Sequence, residues 1–164
     1  MLELDDILNG TTIPWAYKMG YITNFYREPS FRTIESAFGL TRPEILTLIF
    51  LDYRDGITAA EICAFSGHLM PNISRAAIAL EKKRLIARCA DESDQRRQLI
   101  YLTEAGRRMH ARFMPMLEAR ERAMLACLDA RERRQLNRLL DKLARHVVTW
   151  APVDVGALEP EKAS

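Results

Sequence analysis

Ile86-Ala87-Arg88-Cys89-Ala90, then Asp91-Glu92-Ser93-Asp94-Gln95-Arg96-Arg97, then Gln98-Leu99-Ile100-Tyr101-Leu102 is the stretch that decides the fold. Two short, apolar-rich runs flank a polar and charged connection. That pattern reads as a β-hairpin with an extended loop, because the flanks are long enough for strands and too short for helices. Nothing else in the chain has this character. The segments on both sides carry the spacing and the punctuation of helices.

Working outward, Pro71 opens a helix that runs to about Arg84, ahead of the first hairpin strand. Before it, Thr58-Ala59-Ala60-Glu61 is a capping box that opens a short helix to about Phe65, ended by Ser66-Gly67. Thr41-Arg42-Pro43-Glu44 is another capping box and opens an apolar helix from Glu44 to about Tyr53, followed by the turn Asp55-Gly56. Upstream, Pro14 suits the start of a helix from Ile13 to Arg27. Glu28-Pro29-Ser30 is expected to break it, leaving a separate short piece from Phe31 to Phe38. Downstream, Thr103 precedes a long helix from Glu104 to about Leu128, with a kink expected at Pro115. Asp129-Ala130-Arg131-Glu132 caps a last helix to about Val148. The expected class is mainly α, with α+β character only through the hairpin. In outline it is a helix-turn-helix followed by a wing.

Charge singles out the same region. Residues 1–67 hold five bases and nine acids, residues 68–112 hold ten bases and five acids, and residues 113–164 are nearly balanced. A basic segment inside a chain of net charge +2 is the footprint of a polyanion-binding surface. In the helix from Pro71, Ile73, Ala77 and Leu80 recur at helical spacing and should face inward, with Asn72, Arg75, Ala79 and Lys82 opposite. Arg can make bidentate bonds to guanine and Asn to adenine, and Ser74 can hold a phosphate. An Arg at the tip of a narrow ribbon, Arg96 with Arg97 beside it, suits the negative potential of a DNA minor groove. Asp94, two residues earlier, is expected to fix the Arg96 guanidinium by a charge-assisted hydrogen bond. The candidate DNA-contacting set is therefore Asn72, Ser74, Arg75, Lys82, Asp94, Arg96 and Arg97.

These residues carry a resemblance. The stretch Phe38 to Met109 resembles the MarR family of bacterial transcription regulators. The match lies in Gly39-Leu40-Thr41, Pro43 and Leu46, in Ala59-Ala60-Glu61-Ile62, and in Asn72-Ile73-Ser74-Arg75. It continues through Leu80-Glu81-Lys82-Lys83, Leu85-Ile86 and the Asp94-x-Arg96 wing to Leu102-Thr103-Glu104-Ala105-Gly106. There are departures. Arg84 stands where the family usually has glycine after the recognition helix, so the backbone there must take a less comfortable conformation or the helix must end differently. Met70 stands where a basic or polar residue is common, and Gln95 replaces a frequent arginine.

The resemblance implies a homodimer whose first and last two helices intertwine. That makes residues 1–40 and 104–150 a helical dimerisation region and 41–103 the winged helix-turn-helix lobe, with 151–164 a flexible tail. The residues agree independently. Phe113, Met116, Leu117, Met124, Leu125 and Leu128, Leu136, Leu139, Leu140 and Leu143, with Trp15, Tyr17, Tyr21 and Phe25, are more apolar surface than one small lobe can cover. The resemblance further implies a repressor, less often an activator, on a pseudo-palindromic double-stranded operator, released by a small ligand. Family ligands are often aromatic acids or phenols, and Trp15, Tyr17 and Tyr21 are the candidates to line such a site.

Other classes fare poorly. His68, His110 and His146 lack metal-motif spacing, and there is no Gly-rich phosphate loop and no Ser or Cys in a nucleophile motif, so neither catalysis nor a cofactor or metal is expected. Cys63, Cys89 and Cys127 show no paired spacing, which suits a reducing cytoplasm. The hydroperoxide-sensing branch of the family uses a cysteine in its first helix, and Met1 to Leu40 contains none. A redox- or metal-responsive regulator using Cys63, Cys89 or Cys127 stays open as an alternative, as does a helical interaction module that binds protein and not DNA. The acidic start of the chain lacks the basic residues of a secretory signal, and no apolar run approaches the ~20 residues of a membrane helix. The expected location is the cytoplasm, on the nucleoid when DNA is bound.

Overall fold

The computed structural model describes residues 3–150. The expected tail, 151–164, lies outside the described residues. The elements run α1 (Leu4–Asn9), α2 (Pro14–Phe38), α3 (Arg42–Tyr53), α4 (Ala59–Ser66), α5 (Met70–Lys82), β1 (Ile86–Ala90), β2 (Gln98–Leu102), α6 (Glu104–Met124) and α7 (Ala130–His146), followed by a 3-10 turn at Val147–Thr149. The chain divides into two compact units, one ending at Met124 and one starting at Leu125.

In the first unit the anticipated break at Glu28-Pro29-Ser30 does not occur. Pro29 lies inside one continuous helix, Pro14–Phe38. A mid-helix proline has no N–H for the carbonyl four residues back, which here is Phe25. That carbonyl is not left bare: Arg120 of α6 donates to it through Nη2 at 2.6 Å. Ser30, Phe31 and Ile34 are buried just beyond the proline and anchor the second half of the helix in the core. A tertiary partner thus overrides a local breaker. α1 is a further helix that the punctuation did not single out, and α6 stops at Met124 instead of Leu128.

The core gathers Ile34, Ile45, Leu48, Leu51, Ile62, Ile73, Leu80, Ile100 and Phe113, all essentially buried. It sits between α3, α5 and α6 and the inner face of the hairpin. β1 and β2 are antiparallel, with Ile86 opposite Leu102 and Ala90 opposite Gln98. A third rung comes from the loop after α3: Ile100 N donates to Ile57 O at 2.9 Å, and Gly56 N to Ile100 O at 3.0 Å. Gly56 has φ +71°, and a side chain there would collide with the Tyr101 ring. Asp55 accepts from Leu102 N at 2.7 Å and pairs with Arg107. The base of the hairpin is therefore tied to the end of α3 and the start of α6.

Two features set the pose of α5. Its last turn closes as a Schellman motif, with Leu85 N bonded to Leu80 O at 2.9 Å and Arg84 N to Glu81 O at 2.8 Å. The residue in the left-handed position is Arg84, φ +58°, so the strain anticipated from the missing glycine is present. Beside it, Lys83 Nζ reaches Glu44 Oε1 at 2.8 Å and Gly39 O at 2.7 Å. Glu44 is buried and also accepts from Thr41 N at 2.6 Å, closing the α3 capping box. The end of α2, the start of α3 and the end of α5 meet on the Lys83 ammonium.

The second unit holds α7, capped by Asp129, whose carboxylate accepts from Arg131 N at 2.6 Å and Glu132 N at 2.8 Å. Leu139, Leu140 and Leu143 are about half exposed along it.

Candidate nucleic-acid interface

α5 starts after Leu69, with proline in its first turn, and buries Ile73, Ala76, Ala77 and Leu80. Its exposed positions are Met70, Pro71, Arg75, Ile78 and Lys82, the last four spaced four, three and four apart along one stripe. Arg75 and Lys82 are there as expected. Asn72 and Ser74 are half-buried on the flanks. Ala79, expected outward, is half-buried as well. It lines a cleft of ≈ 300 Å³ with Thr41, Pro43, Asn72, Arg75 and Ala76, because α3 begins alongside that flank of the helix. Arg75 Nη2 donates to Asn72 Oδ1 at 2.8 Å. The pair holds both side chains in place and leaves the Asn72 amide N–H groups for another partner. Ile78, 44% exposed in the middle of the stripe, escaped the reading of the sequence. Its signal was a β-branched apolar residue outside the inward-facing positions of an otherwise regular helix.

The hairpin loop is built from its own side chains. Asp91 N donates to Arg97 O at 3.0 Å and closes the loop, and Arg97 N bonds Asp94 O at 2.8 Å. Asp91 Oδ1 takes Ser93 N at 2.9 Å and Ser93 Oγ at 2.7 Å. The expected bond from Asp94 to the Arg96 guanidinium is replaced by another. Asp94 Oδ1 accepts the Arg96 backbone N–H at 3.0 Å, an Asx turn that shapes the loop. The Arg96 side chain is exposed and makes no hydrogen bond or ion pair among the described residues. Arg97, paired with it in the sequence reading, turns back: Nη1 lies 3.5 Å from Asp91 Oδ2 and Nη2 3.9 Å from Glu61 Oε2.

The electrostatics follow from these bonds. Glu61 titrates below the usual carboxylate range, first because Thr58 N–H and then Thr58 O–H donate to it, with Arg97 adding attraction. Asp91 is lowered chiefly by Ser93. Glu81 is lowered by the Arg88 guanidinium, which links the end of α5 to β1. Burial pushes the Cys63 thiol up, away from the reactive thiolate. Its sulfur lies 3.9 Å from that of Met70. Cys89 and Cys127 are exposed. His68 Nδ1 is 3.1 Å from Ser66 O, His110 Nδ1 is 3.4 Å from Asp52 Oδ1, and His146 Nδ1 is 3.0 Å from Thr149 Oγ1. Among the described residues no group of three or more His, Cys, Asp or Glu could hold a metal ion, and no helix is long and apolar enough to cross a membrane.

The aromatic residues of α2 form a ladder, with Tyr17 to Tyr21 ring centres 6.4 Å apart and Tyr21 to Phe25 4.6 Å. Trp15 is 79% exposed with Lys18 over its ring. Tyr17, Tyr21 and Phe25 line an open cleft of ≈ 340 Å³, and Tyr21 and Phe25 line another of ≈ 290 Å³ against Arg120 and Met124.

Comparison with known proteins places this arrangement. Residues 38–97 match the sequence model of the MarR family, and they span the segment from the end of α2 through the hairpin loop. A MarR-family transcriptional regulator from Silicibacter pomeroyi superposes with a TM-score of 0.76 at 27% identity, covering 89% of this chain and 97% of that one. Over its helix-turn-helix and hairpin loop this chain is similar to the MarR family. The chain is also 28% identical over 127 residues to the HTH-type transcriptional repressor Mb2911 of Mycobacterium bovis, covering 77% of this chain and 88% of the relative. The MepR protein of S. aureus, solved as a complex with DNA, shares the fold, with a TM-score of 0.71 at 24% identity over 82% of this chain and 97% of that one.

Proposed function

We propose that this chain is a MarR-family regulator, a sequence-specific repressor that binds a pseudo-palindromic duplex as a homodimer and does no catalysis. The observation that carries the reading is the pairing of an outward α5 stripe with an unpartnered Arg96 on the hairpin loop. Arg75 and Asn72 suit the base edges of a major groove, Ile78 suits a thymine methyl, and Lys82 and Ser74 suit phosphates. Arg96 suits the minor groove, where it reads potential and width more than base identity. Support also comes from the relative named as a repressor and from MepR, which binds DNA.

Dimerisation follows from the apolar side chains that each unit leaves uncovered: Trp15, Ile22 and Phe25 on α2, and Leu139, Leu140 and Leu143 on α7. A second copy would cover them, and light scattering should give about twice the 18.8 kDa chain mass. A small aromatic ligand stacking on the α2 ladder at Trp15, Tyr17 and Tyr21 would release DNA by favouring a dimer whose two α5 helices are wrongly spaced for successive major grooves. The regulator acts in the cytoplasm, on the nucleoid when bound.

The test uses Asn72→Ala, Arg75→Ala and Arg96→Ala on cognate and random duplexes at two salt concentrations. Asn72→Ala and Arg75→Ala cost the cognate site roughly 1–3 kcal/mol more than random DNA. Arg96→Ala weakens both and flattens the salt dependence by about one unit of slope. An unchanged slope and unchanged affinities in Arg96→Ala would sink the wing reading.

A further inference from the structure

The sequence assigns Arg96 and Arg97 to the same task, and the geometry separates them. Asp91 closes the base of the loop through its backbone, and its Oδ1 is taken by Ser93. Its Oδ2 is left for Arg97, at 3.5 Å, and the Asp91 side chain is only 15% exposed. Glu61 belongs to a different element, the first turn of α4. Its Oε2 is fixed by Thr58 N at 2.7 Å and Thr58 Oγ1 at 2.8 Å, and the same oxygen faces Arg97 at 3.9 Å. One guanidinium thus spans two carboxylates, each already held in place by its own hydrogen bonds. An isolated exposed ion pair contributes little, because two long side chains must be ordered to make it. Here both carboxylates are ordered beforehand, and the two Nη atoms of one guanidinium face them at ion-pair distance, 3.5 Å and 3.9 Å.

We propose that Arg97 is a latch that fastens the hairpin loop to α4, with Glu61 and Asp91 as positioning residues, and that it contacts no DNA. Resting on the DNA-binding reading above, the latch fixes the pose in which neighbouring Arg96 is presented. Arg96 is the groove probe, and Arg97, with its side chain 48% exposed, is engaged by the protein's own carboxylates. The division explains why two adjacent arginines differ so completely in their partners.

The experiment compares Arg97→Met, Arg97→Lys, Glu61→Gln and the double variant Arg97→Met with Glu61→Gln, with Arg96→Ala as reference. Glutamine at position 61 preserves the capping box with Thr58 and removes only the charge that faces Arg97. The first readout needs no DNA: amide hydrogen exchange of residues 92–97 by NMR in the full chain. Arg97→Met should speed exchange by roughly two- to fivefold, the range of a small ion-pair network. Glu61→Gln should produce part of that change, and the double variant no more than Arg97→Met alone. Arg97→Lys should restore part of the protection, since an ammonium can serve one carboxylate at a time. The second readout is binding to a fluorescein-labelled mixed-sequence duplex at two salt concentrations. The salt slope of Arg97→Met should equal that of the wild type, whereas Arg96→Ala should lower it by about one. Unchanged exchange in Arg97→Met, additive effects in the double variant, or a slope lowered by about one in Arg97→Met would each overturn the latch. An unchanged slope in Arg96→Ala beside a clear exchange effect in Arg97→Met would overturn the DNA reading and uphold the latch.

Discussion

Replacing Gly106 by alanine tests the packing at the junction of hairpin and α6. On propensity alone the change should help, since alanine is favoured over glycine in a helix by about 1 kcal/mol. The local geometry reverses the sign. A Cβ at position 106 would stand 2.0 Å from Leu85 O, 3.1 Å from the carbon of the same carbonyl and 2.9 Å from Leu102 Cδ2. Ordinary non-bonded contacts lie near ~3.5 Å, so α6 would have to withdraw by about 1.5 Å. The Leu102 methyl can rotate, but Leu85 O cannot yield. It is main chain, it follows the strained Arg84, and it accepts Thr103 N at 3.1 Å. Overpacking that moves backbone costs about 1–3 kcal/mol or more, against which the propensity gain at the first turn of α6 is the smaller quantity. The expected net loss is about 2 kcal/mol, equivalent to a fall in Tm of roughly 4–8 °C for a chain of this length. Urea and thermal unfolding of both proteins at one protomer concentration measure it. A variant at least as stable as the wild type, with an unchanged urea m-value, would refute the close approach and leave the glycine of the Leu-Thr-x-x-Gly exit without a physical reason.

Three further outcomes are expected. Lys83→Met strands the buried Glu44 carboxylate with Thr41 N–H as its remaining partner and should cost about 2 kcal/mol in urea unfolding, less than a fully buried pair because Lys83 is partly solvated. Adding Glu44→Gln should recover part of that loss, and strict additivity would show that the two side chains do not interact. Arg84→Gly should raise stability by up to about 1 kcal/mol and Arg84→Val should lower it, since the left-handed position penalises a branched Cβ most; equal midpoints for the two would contradict the strained geometry. Stability should also fall on acidification. Glu28, Glu61, Glu81 and Asp91 all titrate below the ordinary range when folded, so the unfolded chain binds more protons in acid. Their contribution is complete above about pH 5 and is lost as the pH drops through the folded values. A urea midpoint that stays level from about pH 5 to 3 would count against it.

Much of this protein was legible in its sequence because the decisive signals are local. The capping boxes at Thr41, Thr58 and Asp129 each mark a helix start, and the hairpin is bounded by its own apolar runs. Strain at Arg84 is one of the two outcomes that the resemblance allows where arginine replaces a glycine, and the backbone takes it, with φ +58°. What escaped the reading depends on partners distant in sequence. Pro29 reads as a breaker until Arg120 reaches the carbonyl it frees. Ala79 reads as outward until α3 is laid beside it. Arg97 reads as a twin of Arg96 until Glu61, on another helix, is brought within range. Asp94 lies in the loop that the sequence indicates, but its carboxylate bonds the Arg96 backbone N–H and not the guanidinium. Composition and periodicity carry no trace of those pairings.

The rung between Ile57 and Ile100 has a kinetic meaning. The segment after α3 gains its β partner only when the second hairpin strand arrives, a long excursion of chain later. During synthesis, α3, α4 and α5 can form as fluctuating helices, yet the apolar side chains they share with Ile100 and Leu102 stay wet until β2 has left the ribosome. The helix-turn-helix and its wing are therefore expected to complete their folding together, in a step set by closure of a non-local loop. In the finished protein the same amides should open together, so that α5 and the paired strands exchange their backbone hydrogens as one block while the loop between the strands exchanges on its own.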